Sequence, residues 1–120
     1  MAEPLWGGRF AHPPDPDMLR LTRSIDVDMR LLPHDLAATK AHARALAAAG
    51  LLEAGEVTAV DAACDAIEAA WAAGTLTPGP ADEDVHSVVE RALTERLGDT
   101  GARIHAGRSR NDLVAQDLRL

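Results

Sequence analysis

Val57, Val60, Cys64, Ile67 and Trp71 step along the chain by three and four residues, the spacing that places side chains on one face of a helix. An apolar seam of this kind has to be covered by a partner, and it limits the possible folds more than any other feature of the sequence. The stretch runs from about Ala54 to Ala73 and stops at Gly74. A helix from about Pro33 to Ala49 precedes it, and Gly50 supplies the left-handed residue that ends a helix. The short Gly50-Leu51-Leu52 link predicts that the two pair as an antiparallel hairpin. A fourth helix carries Val85, Val89, Leu93 and Leu97 on one stripe and ends at Gly98. Aromatic residues make up only 2% of the 120 residues, so the core has to be built from Ala, Leu and Val. Such a core suits closely packed helices better than a β-sandwich, and the expected fold class is all-α.

The remaining segments are read by their punctuation. Gly7-Gly8 and Pro13-Pro14 break any regular element, so residues 1–15 are expected to form an arm, with Trp6, Arg9 and Phe10 free to pack on a partner. Asp15-Pro16-Asp17 combines an N-cap, a proline at the first helical position and an acid in the first turn; it predicts a short helix fading near Thr22 to Ser24. Thr75 to Asp84 reads as a Pro/Gly loop that turns acidic, and residues 101–106 are too short to assign. Another helix starts at Ser109, and no Gly, Pro or Asn follows "DLRL" to stop it, which leads us to expect a longer parent protein. The expected division is an arm over 1–15, a helical domain over 16–106, and over 107–120 a binding loop with the root of a long helix.

Charge and cysteine content narrow the function. A formal net charge of −7 argues against nucleic acid or an anionic membrane as the main partner, because both need clustered positive charge. Cys64 is the one cysteine, which excludes an internal disulfide and fits a reducing compartment. The amino terminus carries no basic stretch followed by an apolar run, and no apolar run reaches the roughly 18 residues of a membrane span. A cytoplasmic location is expected.

Three short stretches carry candidate chemistry. In "GRSRND", Ser109 and Asp112 have capping-box spacing, so the first turn offers free N–H groups and the positive end of a helix dipole. Arg108 and Arg110 flank it, Asn111 can donate and accept, and arginine binds carboxylate through paired hydrogen bonds. A capped helix with two exposed arginines accounts for the same residues. In "DEDVHSVVE", His86 and Glu90 share a helix face, and Asp84 stands near enough in sequence to favour imidazolium at His86. A solvated acidic helix start with a surface histidine is the plainer alternative. His-x3-Glu lacks a third ligand in the sequence pattern, so no metal is expected. In "RSIDVD", Ser24 taken alone is a turn serine. His12, His34 and His42 have no partner pattern.

LWGGRF, SIDVDMRL, AGLL, EDVHSVVE and GDTGARIHAGRSRNDLVAQDLRL, in this order and spacing, resemble the amino-terminal quarter of the argininosuccinate lyase family, within the fumarase/aspartase superfamily. The resemblance runs from about Leu5 to Leu120, and HxGRSRND is its most specific part. It implies cleavage of argininosuccinate to arginine and fumarate without metal or organic cofactor, in a homotetramer built on a long-helix bundle. By match, Ser24, Arg108, Ser109, Arg110 and Asn111 would be substrate-binding. Asp84 and His86 would support catalysis by orienting the catalytic histidine. A related adenylosuccinate-type lyase is the alternative within the superfamily, against which GRSRND and LWGGRF argue, and a non-catalytic helical binding or oligomerisation module is the alternative from another class. The family's proton-transferring histidine in a T-x-H motif and its serine on a GSS loop are not among these 120 residues. Two departures stand beside the signature: Ala106 replaces a threonine and Leu113 a glutamine, which puts a contact to substrate or to a neighbouring helix in doubt. Glu53 stands where a threonine cap is usual, and a slightly weakened helix is expected there.

Overall fold

Asp15 caps the first helix as its sequence predicts: its Oδ1 accepts from the Asp17 N–H at 2.8 Å, and α1 spans Pro16–Thr22. The computed structural model describes residues 11–120, so Trp6, Arg9 and Phe10 of the expected arm lie outside the described residues. The chain then forms α2 (Ile25–Asp28), a 3-10 turn (Met29–Leu31), α3 (Leu32–Ala48), α4 (Ala54–Ala72), α5 (Val85–Leu97), α6 (Asp99–Arg103) and α7 (Arg110–Asp117). No strand occurs among the described residues, and the fold class is all-α.

Helices α3 and α4 form the predicted hairpin, and its direction is visible in the ion pairs across it. Lys40 meets Asp65, and Arg44 meets Asp61 at 2.9 Å, so the numbers rise on one helix as they fall on the other. Gly50, at φ +75°, ends α3 in the left-handed conformation expected of it. In the seam of α4, Val60, Cys64 and Ile67 are fully buried, while Val57 and Trp71 are partly buried at its margins. Burial pushes the Cys64 thiol up to about 11, as befits a core residue and not a nucleophile. Helix α5 packs against α3, α4 and α6. That is why its buried face is wider than one stripe: Val85, Val88, Val89, Ala92 and Leu93 are all in the core.

Two places add to what the sequence showed. Residues 99–103, left without a reading in their second half, are the short helix α6, seated on α5 through Gly101. A Cβ built at Gly101 would lie 2.5 Å from the Leu93 carbonyl oxygen and 2.8 Å from Thr94 Cα, so the glycine permits backbone-to-backbone contact between α5 and α6. Overpacking against backbone cannot be relieved by a rotamer change. Gly101→Ala is therefore expected to cost about 2–3 kcal/mol, read as a lower urea midpoint at unchanged slope. A midpoint equal to wild type would show that α6 moves off α5 freely. At the start of α4 Glu53 makes no side-chain cap hydrogen bond, and the capping contact comes from Glu56. Glu56 reaches back to the Glu53 N–H at 2.9 Å, accepts from Thr100 Oγ1 at 2.8 Å and pairs with Arg103. One carboxylate thus caps α4 and ties α6 to it.

Candidate functional site

The start of α5 is the meeting point of the three stretches singled out in the sequence. Asp84 is its N-cap, with Oδ1 accepting from the Ser87 N–H at 2.8 Å, while Ser87 Oγ accepts from the Asp84 N–H at 3.1 Å. From α2, the N–H groups of Ser24 and Ile25 donate to the Glu83 carbonyl at 2.9 and 3.1 Å. Asp28 completes the seam: its Oδ1 accepts from the Val85 N–H at 3.0 Å, and its Oδ2 from Ser24 Oγ at 2.6 Å. From the last loop, Arg110 Nη1 donates to Asp84 Oδ1 at 2.7 Å. Ser24, Asp84 and Arg110 are therefore neighbours although up to 86 positions separate them in the chain. Ser24 opens α2 instead of ending α1, and its hydroxyl is held by Asp28.

His86, two residues further on, faces inward. It is 5% exposed, so the surface-histidine alternative does not apply. Its ring partner is not Asp84 but Asp35 of α3: Nδ1 donates to Asp35 Oδ1 at 3.0 Å, with Asp117 Oδ2 of α7 at 3.9 Å. Sequence proximity pointed to Asp84, but that carboxylate is committed to its cap and to Arg110. Burial opposes imidazolium at His86; the hydrogen bond to Asp35 and the charges of Asp35, Asp84 and Asp117 outweigh it and hold the ring above its ordinary value. Burial, with the Asp35 charge, pushes Asp117 up to about 7 against the pull of His86 and Arg108. Both Asp117 carboxylate oxygens are buried without a hydrogen-bond partner.

The potential ligand atoms of Asp35, His86 and Asp117 lie within 4.8 Å of one another, a three-residue set that the sequence pattern did not reveal. Arg108 stands beside them and already supplies positive charge to both carboxylates. The chemistry of the set is therefore that of a balanced charge cluster more than of a coordination sphere.

The loop into α7 is held against this frame. Gly107 takes φ +72°, and Ser109 caps α7 while its own N–H donates to Asp112 Oδ2 at 2.7 Å, so the capping box is formed. His42, given no role above, donates from Nε2 to the Ala106 carbonyl at 2.8 Å. The two arginines part company. Arg110 turns to Asp84, and Arg108 turns inward, donating to the buried Thr39 Oγ1 at 3.3 Å. Asn111 and Ser109 are exposed. Leu113 is buried and, with Asp35, His86, Glu90, His105 and Arg108, lines a cavity of ≈ 20 Å³, room for about one water. His86 and Glu90 share that wall, as their spacing predicts. Asp28, Asp35, Thr39 and Asp117 were missed by sequence reasoning. Asp35 and Thr39 left a signal: both stand at core spacing among Leu32, Leu36 and Ala43, where a polar residue needs a partner.

An all-helical frame thus buries ionisable groups beneath a capped, arginine-flanked helix start, and the chain belongs to the lyase family, whose sequence profile matches residues 8–120. Among curated proteins it is similar to the argininosuccinate lyase of Acidothermus cellulolyticus, with 58% identity over 99% of this chain and 24% of the relative. The argininosuccinate lyase of Frankia casuarinae is 54% identical over 97% of this chain and 25% of its own length. Argininosuccinate lyase 1 of Pseudomonas fluorescens is 50% identical over 97% and 24%. The chain thus spans about a quarter of the length of the curated relatives it matches. No helix among the described residues is long and apolar enough to cross a membrane.

Proposed function

We propose that this chain serves as the amino-terminal part of a cytoplasmic argininosuccinate lyase. The substrate would be split by β-elimination into arginine and fumarate, the last step of arginine biosynthesis, with no cofactor. The division into an arm over 1–15, a helical domain over 16–106 and a binding segment over 107–120 belongs to the same reading, as does assembly as a homotetramer. The observation that carries it is the gathering of Ser24, Asp84 and Arg110 at one helix start, beside the exposed Ser109 and Asn111. Removal of a proton beside a carboxylate builds charge on that carboxylate, and positioned donors stabilise the charge most when little water surrounds them. Asn111, the N–H groups of α7 and Arg110 would hold the carboxylates. His86 would act on the chemistry from within the protein, through the Asp35 pair, and not as the group that moves the proton.

The general base and acid of the reaction would come from segments other than this one. The 120-residue chain by itself is therefore expected to release no fumarate from argininosuccinate. Substituted for the matching quarter of the Acidothermus cellulolyticus relative, it is expected to give a chimera that does release fumarate, and from adenylosuccinate none. A chimera that assembles but leaves argininosuccinate intact would overturn the reading.

A further inference from the structure

Arg108 differs from its neighbour in what surrounds it. Its side chain leaves the loop at Gly107, enters the space between α3, α5 and α7, and donates to Thr39 Oγ1, a group with no exposure. Buried without a hydrogen-bond partner, its Nε lies in the same interior as the unpartnered oxygens of Asp117. Asp35, Glu90 and Asp117 are the acidic groups that act on it, and His86 shares its cavity wall. Four ionisable groups from three helices and one loop, Asp35, His86, Arg108 and Asp117, thus gather in one interior. Arg108 is half-buried; burial opposes its charge, and the charges of Asp35 and Asp117 favour it. Thr39 and Asp35 stand one turn apart on α3, so the same helix face grips both Arg108 and His86.

The loop is consequently pinned on both sides of its exposed tip. His42 holds Ala106 and Thr39 holds Arg108 on one side; Asp84 holds Arg110 on the other. We propose that Arg108 is a positioning residue: its guanidinium, seated on Thr39 and countered by Asp35 and Asp117, fixes the Ser109–Asn111 turn in place and does not itself grip the ligand. This rests on the reading of that turn as the carboxylate-binding element. It also reassigns Arg108, whose match to the family signature suggested substrate contact.

The test uses the chimera described above with Arg108→Gln, Thr39→Val and the double variant. Thr39→Val removes the seat while leaving the arginine, and keeps the proposal testable if Arg108→Gln folds poorly. Both single variants are expected to speed amide exchange at residues 109–112 by about tenfold or more, with the amides of α4 unchanged. Both are expected to raise KM for argininosuccinate, about tenfold for Arg108→Gln, with kcat altered less than about threefold, and the double variant is expected to be no worse than Arg108→Gln alone. A raised KM in Arg108→Gln with unchanged exchange, and with Thr39→Val at wild-type KM, would mean direct ligand contact and overturn the proposal. Faster exchange in both variants with KM unmoved would leave the positioning role standing and remove the turn from the binding site. No change in either quantity overturns the proposal outright.

Discussion

Asp35→Ala is expected to lose about 3–5 kcal/mol of stability, the cost of breaking a buried charged pair by deleting one partner. Asp35 is 1% exposed and accepts the His86 Nδ1–H at 3.0 Å. Without it the imidazole stays buried with only Asp117, 3.9 Å away, and Arg108 loses the charge that favours its guanidinium most. Part of the loss is returned, because Asp35 is also what helps push Asp117 up, and its removal relaxes that group. Asp35→Asn keeps an acceptor of the same shape and is expected to cost clearly less than alanine. Urea unfolding at neutral pH reads both variants. Equal midpoints for asparagine and alanine would show that volume and not charge matters here; a wild-type midpoint for alanine would dismiss the pair as a source of stability.

The second large effect is a dependence on pH. Asp117 is pushed from 3.8 up to about 7, mainly by burial. The folded state therefore keeps its proton through a range where the unfolded chain has released it. Between about pH 4 and 7 the native state binds more protons than the unfolded one, so stability falls as pH rises. The size of this contribution is on the order of 4 kcal/mol. His86 acts in the same direction: held above 6.5, it adds stability that is fully present below that value and lost as pH rises through its folded value. Glu56 and Asp112 act the opposite way, because hydrogen bonds to the backbone at Glu53 and Ser109 hold them low. Their contribution is present above the ordinary carboxylate range and lost as pH falls through their depressed values. Maximum stability is thus expected on the acid side of neutrality, near pH 5. Asp117→Asn should flatten the decline from pH 5 to 8 by most of its extent. An unchanged slope in that variant would place the titrating group elsewhere.

Much of the frame could be read from the chain, and what escaped did so for physical reasons. Gly50, Gly74 and Gly98 mark helix ends because only a residue without Cβ takes positive φ cheaply, and all three do so here. Asp15-Pro16 and Ser109-Asp112 announce their caps because capping is local. Helices α2 and α6 went unseen, being four and five residues long and too short to show a period. Residues 101–106 are too short to assign from sequence, and Gly101 among them serves close approach to α5. The site divides the same way. Family resemblance selected the residues that gather at the start of α5. It could not tell that His86 turns to Asp35, 51 positions away, or that the two arginines of one motif point in different directions.

The Arg110–Asp84 bridge has one more consequence. Arg110 already gives one N–H to Asp84 Oδ1 at 2.7 Å, so under the proposed function an anion would share its guanidinium with a carboxylate that is itself held by the first turn of a helix. A guanidinium shared in this way would, on that reading, favour densely charged ligands before any fit of shape is tested.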